Sequence, residues 1–81
     1  MMNEQVLNEL KTAVEEQIST ANPPEAKTVY EQLIVKGHTE DDAKELIAQV
    51  IYQEAMAIVT TQEPFNRERY VRNLQLLIAK D

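Results

Sequence analysis

The chain has 81 residues, a length typical of one domain over residues 1–81, and its 14 acidic and 8 basic side chains give a formal net charge of −6. This acidic balance argues against nucleic acid as a partner, because phosphates are bound by clustered Lys and Arg. The absence of cysteine excludes disulfides and thiolate metal sites, and no apolar run approaches the roughly 20 residues of a membrane span.

The first predicted helix spans residues 3–20, where apolar side chains recur at helical spacing. The side chains predicted to face the core are Val6, Leu7, Leu10, Val14 and Ile18. Gln17 falls near the middle of this apolar stripe, either as a polar group inside the core or as a long side chain that reaches water at the helix end. The N-terminal segment lacks the basic start and apolar run of a signal peptide, so we expect a cytoplasmic protein.

The second predicted helix spans residues 23–36. Asn22 is a favourable N-cap residue, and Pro23 suits the first helical position because no amide partner is needed there. Gly37, the only glycine, stands where a left-handed residue would end the helix. His38 is predicted to be a turn residue that packs on this helix, since a single histidine without cysteine cannot build a zinc site on its own.

The third predicted helix spans residues 40–61, and we expect it to be the longest and the central one. Thr39 is its predicted cap, and the acidic residues that follow lie in the first turn, where the helix dipole favours negative charge. Two apolar strips lie on different sides of this helix, Ala43, Ile47, Val50, Ile51 and Ile58 in the main strip and Ala48, Tyr52, Ala55, Met56 and Val59 in the second. A helix that is apolar nearly all round is buried on several sides.

Glu54 interrupts the main apolar strip. A charged side chain in an apolar face must be paired, hydrogen-bonded or neutralised. If the second and third helices fold back about His38, Glu54 lies near the start of the second helix. We therefore predict a buried Glu54 that accepts hydrogen bonds from Gln17, from the first amides of the second helix, or from both.

The fourth predicted helix spans residues 67–79, with Asn66 as its N-cap. Phe65 and Tyr70 have the spacing of a hydrophobic staple, and Leu76 points to the polar side. The side chains predicted to face the core are Tyr70, Val71, Leu74, Leu77 and Ile78. Because the connections between helices are short, the predicted fold is an all-α, four-helix antiparallel bundle with the third helix at its centre.

Several apolar residues exceed what a simple bundle needs. Either the other helices cover the third helix completely, or these residues form an interface. The candidate interaction surface consists of Tyr52, Met56, Val59 and Leu76. Its partner would be another protein or a second copy of this chain in a homodimer.

The usual constellations of catalytic residues are missing. One glycine cannot form a phosphate-binding loop, and there is no cysteine nucleophile. Ser19 and His38 are the only serine and histidine from which a catalytic triad could be drawn, and nothing places them together. We therefore expect no enzyme, no catalytic residues, no cofactor and no metal.

The run Ala13–Pro24, AVEEQISTANPP, resembles a segment of an uncharacterised bacterial family of helical proteins, a domain of unknown function. The resemblance covers roughly residues 10–77 and continues through Gly37 and Glu54 to Phe65. It implies an all-helical fold, and it supplies no activity, cofactor or site residue.

The sequence therefore favours a small non-enzymatic interaction or regulatory module that acts through its apolar strip or its acidic surface. The alternative is a site for a small ligand or a metal ion at Glu54, with Gln17 and Tyr30 beside it. An enclosed pocket at Glu54 would favour this alternative, whereas an exposed patch of Tyr52, Met56 and Val59 would favour the interaction module.

Overall fold

A computed structural model describes residues 3–79, which form four α-helices. They are α1 (Glu4–Thr20), α2 (Pro24–Val35), α3 (Glu40–Thr61) and α4 (Arg67–Ala79). The predicted all-α, four-helix fold is confirmed, and none of these helices is long and apolar enough to cross a membrane. The predicted cap of α2 is wrong, because Pro23 rather than Asn22 occupies the N-cap position and the helix begins one residue later.

Short-range hydrogen bonds fix where α3 and α4 begin. The Thr39 hydroxyl accepts a bond from the Asp42 amide at 3.1 Å, and the Asn66 side-chain oxygen accepts one from the Arg69 amide at 3.0 Å. Each bond satisfies an amide that has no carbonyl partner inside the helix. The predicted caps Thr39 and Asn66 are therefore confirmed.

Left-handed residues end three of the helices. Gly37 has a φ of +107° after α2, and the amides of Gly37 and His38 bond to carbonyls of the last turn at 3.0 and 3.1 Å. Ala21 after α1 and Gln62 after α3 adopt the same conformation, with φ values of 52° and 59°. The prediction that Gly37 ends α2 is confirmed. The ends of α1 and α3 have no glycine that could have indicated a left-handed residue.

The ion pairs between α1 and α3 show that these helices run in the same direction. Lys11 pairs with Asp41 at 2.8 Å, and Glu15 pairs with Lys44 at 3.0 Å. Since the residue numbers rise together along both helices, α1 and α3 are parallel, and α2, which two short connections join to them, runs in the opposite direction. This is the alternation that short connections predict.

α2 and α3 lie at the centre of the bundle, where each contacts all three other helices. α1 and α4 are not neighbouring helices in the described chain, although one side-chain hydrogen bond joins them. The buried apolar residues are Val14 from α1, Ala26, Val29 and Leu33 from α2, Ala43, Ile47, Ala48 and Val50 from α3, and Tyr70 and Leu74 from α4. The predicted central position of α3 is thus shared with α2.

The C-terminal part of α3 extends beyond its neighbours. The register of the two ion pairs places Thr20, the last residue of α1, level with about residue 50 of α3. α4 begins level with Glu54, since Asn66 and Arg69 both bond to that side chain. α3 then continues to Thr61, about 10 Å further at roughly 1.5 Å per residue. For this reason Ile58, expected in the core strip, is only partly buried.

Candidate interaction surface and the Glu54 site

Glu54 is the one charged residue that is buried in the described part of the chain, with 4% of its surface exposed. The Arg69 guanidinium contacts both of its carboxylate oxygens, through Nε at 2.9 Å and Nη2 at 2.7 Å. The Asn66 amide donates a third hydrogen bond at 3.2 Å. A two-pronged guanidinium–carboxylate contact is among the stronger hydrogen-bonded arrangements in proteins, so the buried charge is well compensated.

The partners of Glu54 are not those that the sequence predicted. Gln17 instead accepts a hydrogen bond from the Tyr70 hydroxyl at 2.7 Å, and no α2 amide bonds to Glu54 among the described residues. Tyr30, also considered for this site, donates to Glu40 at 3.3 Å. The connection between α3 and α4, residues 62–66, is short. It therefore places the start of α4, rather than the start of α2, against the Glu54 carboxylate.

The pKa shifts of Glu54 and Tyr70 fit a structural role for both side chains. The hydrogen bonds from Arg69 hold the pKa of the Glu54 carboxyl below its usual value, despite the opposing effect of burial. Burial raises the pKa of the Tyr70 hydroxyl to about 12, although its bond to Gln17 acts in the opposite direction. Glu54 is therefore charged and Tyr70 protonated near neutral pH, whereas a general acid or base needs a pKa near the working pH.

A cleft of about 480 Å³ opens beside Glu54, where α3 extends past α1 and α4. Its apolar lining comes from Pro23, Ile51, Ala55, Ile58, Phe65 and Tyr70, and its polar lining includes Gln17, Asn22 and Arg67. The volume falls in the range of ligand-binding pockets. The sequence did not predict this cleft, because it arises from the different lengths of the helices.

The charges that line the cleft are compensated within the chain. Glu54 is paired with Arg69, and an Arg67 nitrogen lies 3.8 Å from an oxygen of Glu25. The side-chain amide of Asn22 makes no hydrogen bond within the described chain. The cleft is therefore apolar and close to neutral, with an amide available at its edge.

The four residues of the predicted interaction surface do not form one patch. Met56, Val59 and Leu76 have 44%, 71% and 45% of their surfaces exposed, while Tyr52 is half-buried. Leu76 lines a separate groove of about 340 Å³ between α3 and α4, which does not include the other three. Met56 and Val59 lie on the part of α3 that extends beyond its neighbours.

This extension of α3 is uncharged on its exposed side. Between Glu45 and Glu63 the only charged residue is Glu54, which is buried and paired. The exposed residues that follow it include Ala55, Met56 and Val59, which we call the α3-end surface. The cores of protein interfaces are depleted of charged residues. The α3-end surface contains no charged residue, although charged residues make up 27% of the chain.

A cluster of carboxylates lies at the start of α3, where oxygens of Asp41, Asp42 and Glu45 lie within 4.8 Å of one another. The two aspartates are exposed, and Asp41 already pairs with Lys11 at 2.8 Å. Acidic residues in a first turn complement the helix dipole. The cluster therefore has a sufficient explanation without a cation.

Comparison of the chain with protein-family models, with curated proteins and with solved structures found no significant match. The resemblance of Ala13–Pro24 to a bacterial family of unknown function accordingly stays a prediction.

Proposed function

We propose that this chain is a small, non-enzymatic interaction module whose α3-end surface binds another protein chain, which is either a different protein or a second copy in a homodimer. The observation that carries the proposal is the exposed and uncharged extension of α3, which presents apolar side chains next to Thr60 and Thr61. Ala55, Met56 and Val59 follow Glu54, the last buried residue of the helix. The packing of the core does not require these positions to be apolar, so a partner that covers them is the better explanation.

A ligand or metal site at Glu54 is less well supported. Both oxygens of the carboxylate are already engaged by Arg69 and Asn66, so a cation would have to displace the guanidinium. The low pKa that Arg69 imposes is what a structural ion pair requires. Glu54 joins α3 to the start of α4 and thereby supports one wall of the cleft.

The first experiment is the solution mass by light scattering over a range of concentrations, for the wild type and for Met56→Glu. A homodimer through the α3-end surface predicts a dimeric wild type and a monomeric variant. Val35→Glu is the matched control, since Val35 is 87% exposed at the end of α2 and lies outside this surface. Circular dichroism of each variant shows that the fold is retained.

A wild type that is monomeric at every concentration would exclude the homodimer. The proposal would then require a different protein that binds the wild type and Val35→Glu but not Met56→Glu. If no binding of either kind depends on Met56, the proposed function is wrong.

A further inference from the structure

We propose that the cleft beside Glu54 binds one apolar side chain of a partner chain together with the adjoining uncharged peptide group. This inference rests on the proposed function, because it names the chemistry that the interaction module recognises. The α3-end surface would supply most of the buried area, and the cleft would select which partner binds.

The lining of the cleft is largely apolar. Ile51 and Ile58 are seven residues apart and lie on the same face of α3. Pro23, between α1 and α2, and Phe65, between α3 and α4, line the cleft from the two connections. Burial of apolar surface is the main favourable term in protein association. A cleft lined in this way favours an aliphatic or aromatic side chain over a polar one.

The charged groups that line the cleft lie next to opposite charges. An anionic ligand at Arg67 would be repelled by the Glu25 carboxylate, since one of its oxygens lies 3.8 Å from the guanidinium and makes no hydrogen bond. A cationic ligand at Glu54 would compete with Arg69, which contacts both carboxylate oxygens. An uncharged ligand displaces neither pair and avoids the cost of desolvating a charge.

Two side-chain amides, those of Gln17 and Asn22, line the cleft. Gln17 uses its oxygen to accept from Tyr70, which leaves its NH₂ group as a donor. Asn22 has both its oxygen and its NH₂ group free of partners within the described chain. The NH₂ groups can donate to the C=O of a peptide group, and the Asn22 oxygen can accept from its N–H.

Contacts between the helices hold the walls of the cleft in place. The Glu54–Arg69 contact and the Tyr70–Gln17 hydrogen bond tie α4 to α3 and α1. The rings of Phe65 and Tyr70 lie 5.9 Å apart between centroids, so Phe65 is held against α4. A site that is already formed loses less conformational entropy on binding.

The test is a titration of the full chain, followed by NMR, with N-acetyl-leucine methylamide, which carries one apolar side chain between two peptide groups. We expect saturable shifts at Ile51, Ile58 and Phe65 with a dissociation constant of about 1 mM, the affinity that ligand efficiency allows for a probe of this size. N-acetyl-alanine methylamide should bind about tenfold more weakly, since it lacks most of the apolar side chain. N-acetyl-leucine, which ends in a carboxylate, should bind no more tightly than the neutral probe.

Variants locate the binding. Ala55→Trp places a large ring in the cleft from an exposed position and should abolish the shifts. Thr60→Trp is the control, because Thr60 is exposed on the same part of α3 and does not line the cleft. Asn22→Ala should weaken binding about fivefold through the loss of one hydrogen bond.

Three results would overturn the inference: tighter binding of the carboxylate probe, undiminished binding by Ala55→Trp, or shifts that lie away from the cleft. The outcome is separate from that of the proposed function. A Met56-dependent partner without probe binding would refute the cleft alone, and probe binding without any partner would refute the interaction module alone.

Discussion

The two ends of the Glu54–Arg69 pair differ in exposure. The Glu54 side chain is 4% exposed, whereas Arg69 keeps 29% of its side-chain surface in contact with solvent. Loss of the buried carboxylate removes a charge from the interior, but loss of the guanidinium leaves that charge buried with one amide donor. The second change is the more damaging because the desolvation of the carboxylate is no longer compensated.

Replacement of the guanidinium should therefore destabilise the fold. We expect Arg69→Met to lower the free energy of unfolding by about 2 kcal/mol, the typical penalty for an uncompensated buried polar group. Urea denaturation at neutral pH measures the change. Arg72→Met is the control, since Arg72 is exposed on the same helix and its loss should alter stability by no more than about 0.5 kcal/mol. Equal effects of the two changes would contradict a structural role for Arg69.

The same pair should make stability depend on pH in a defined window. The pKa of Glu54 in the folded chain lies below its ordinary value of 4.5, so the unfolded chain binds the proton at higher pH. The contribution of the pair is then complete above pH 4.5 and is lost as the pH falls through the folded pKa.

The stability difference between the wild type and Glu54→Gln should accordingly shrink on acidification through this window, because Gln resembles the protonated carboxyl. Urea denaturation of both proteins over a pH series measures it. A difference that stays constant would show that the pair does not titrate as its geometry requires.

At the scale of the helices, α1 and α3 each end in a residue other than glycine with a left-handed backbone conformation. Ala21 and Gln62 are left-handed, and this conformation costs an L-residue roughly 1–2 kcal/mol. Gly37 has the conformation that its sequence position predicted, and a Cβ there would meet nothing within 4 Å. The cost of replacing Gly37 is therefore conformational rather than steric.

Substitutions at these two kinds of helix end should act in opposite directions. Ala21→Gly should raise the free energy of unfolding by about 1 kcal/mol, because glycine adopts the left-handed region freely. Gly37→Val should lower it by about 1–2 kcal/mol. Thermal or urea denaturation tests both, and a destabilised Ala21→Gly would show that the methyl group contributes packing that outweighs the strain.

Local signals in the sequence were sufficient to predict the helices. The side chains of Thr39 and Asn66 bond to amides within three residues, and Gly37 ends α2 through its own backbone. Such features need no knowledge of the rest of the fold. The exception is Asn22, where local preference favoured a cap that the chain does not use.

The candidate site was only partly predictable, because it depends on how helices are aligned with one another. The apolar surroundings of Glu54 indicated burial, but its pairing with Arg69 depends on the register between α3 and α4. The partners expected from the fold-back at His38 were wrong for this reason. The cleft follows from the length of α3 relative to its neighbours, and that is a property of the assembled bundle.

At the scale of the whole molecule, charge and apolar surface are separated. The chain carries a net charge of −6, yet the α3-end surface has no charged residue. Two copies that meet through this surface would form no ion pairs across it, while their net charges would repel each other. The electrostatic contribution to a homodimer is therefore unfavourable overall and must be outweighed by apolar burial.

Salt should consequently strengthen the proposed homodimer. At 0.1 M ionic strength the Debye length is about 10 Å, so added sodium chloride screens the repulsion between whole molecules and leaves the uncharged contact unaffected. We expect the dissociation constant, measured by sedimentation or light scattering, to fall as salt is raised, and Met56→Glu to remain monomeric throughout. If salt instead weakened association, ion pairs would hold the copies together. The interface would then lie on a charged face of the bundle rather than on the α3-end surface.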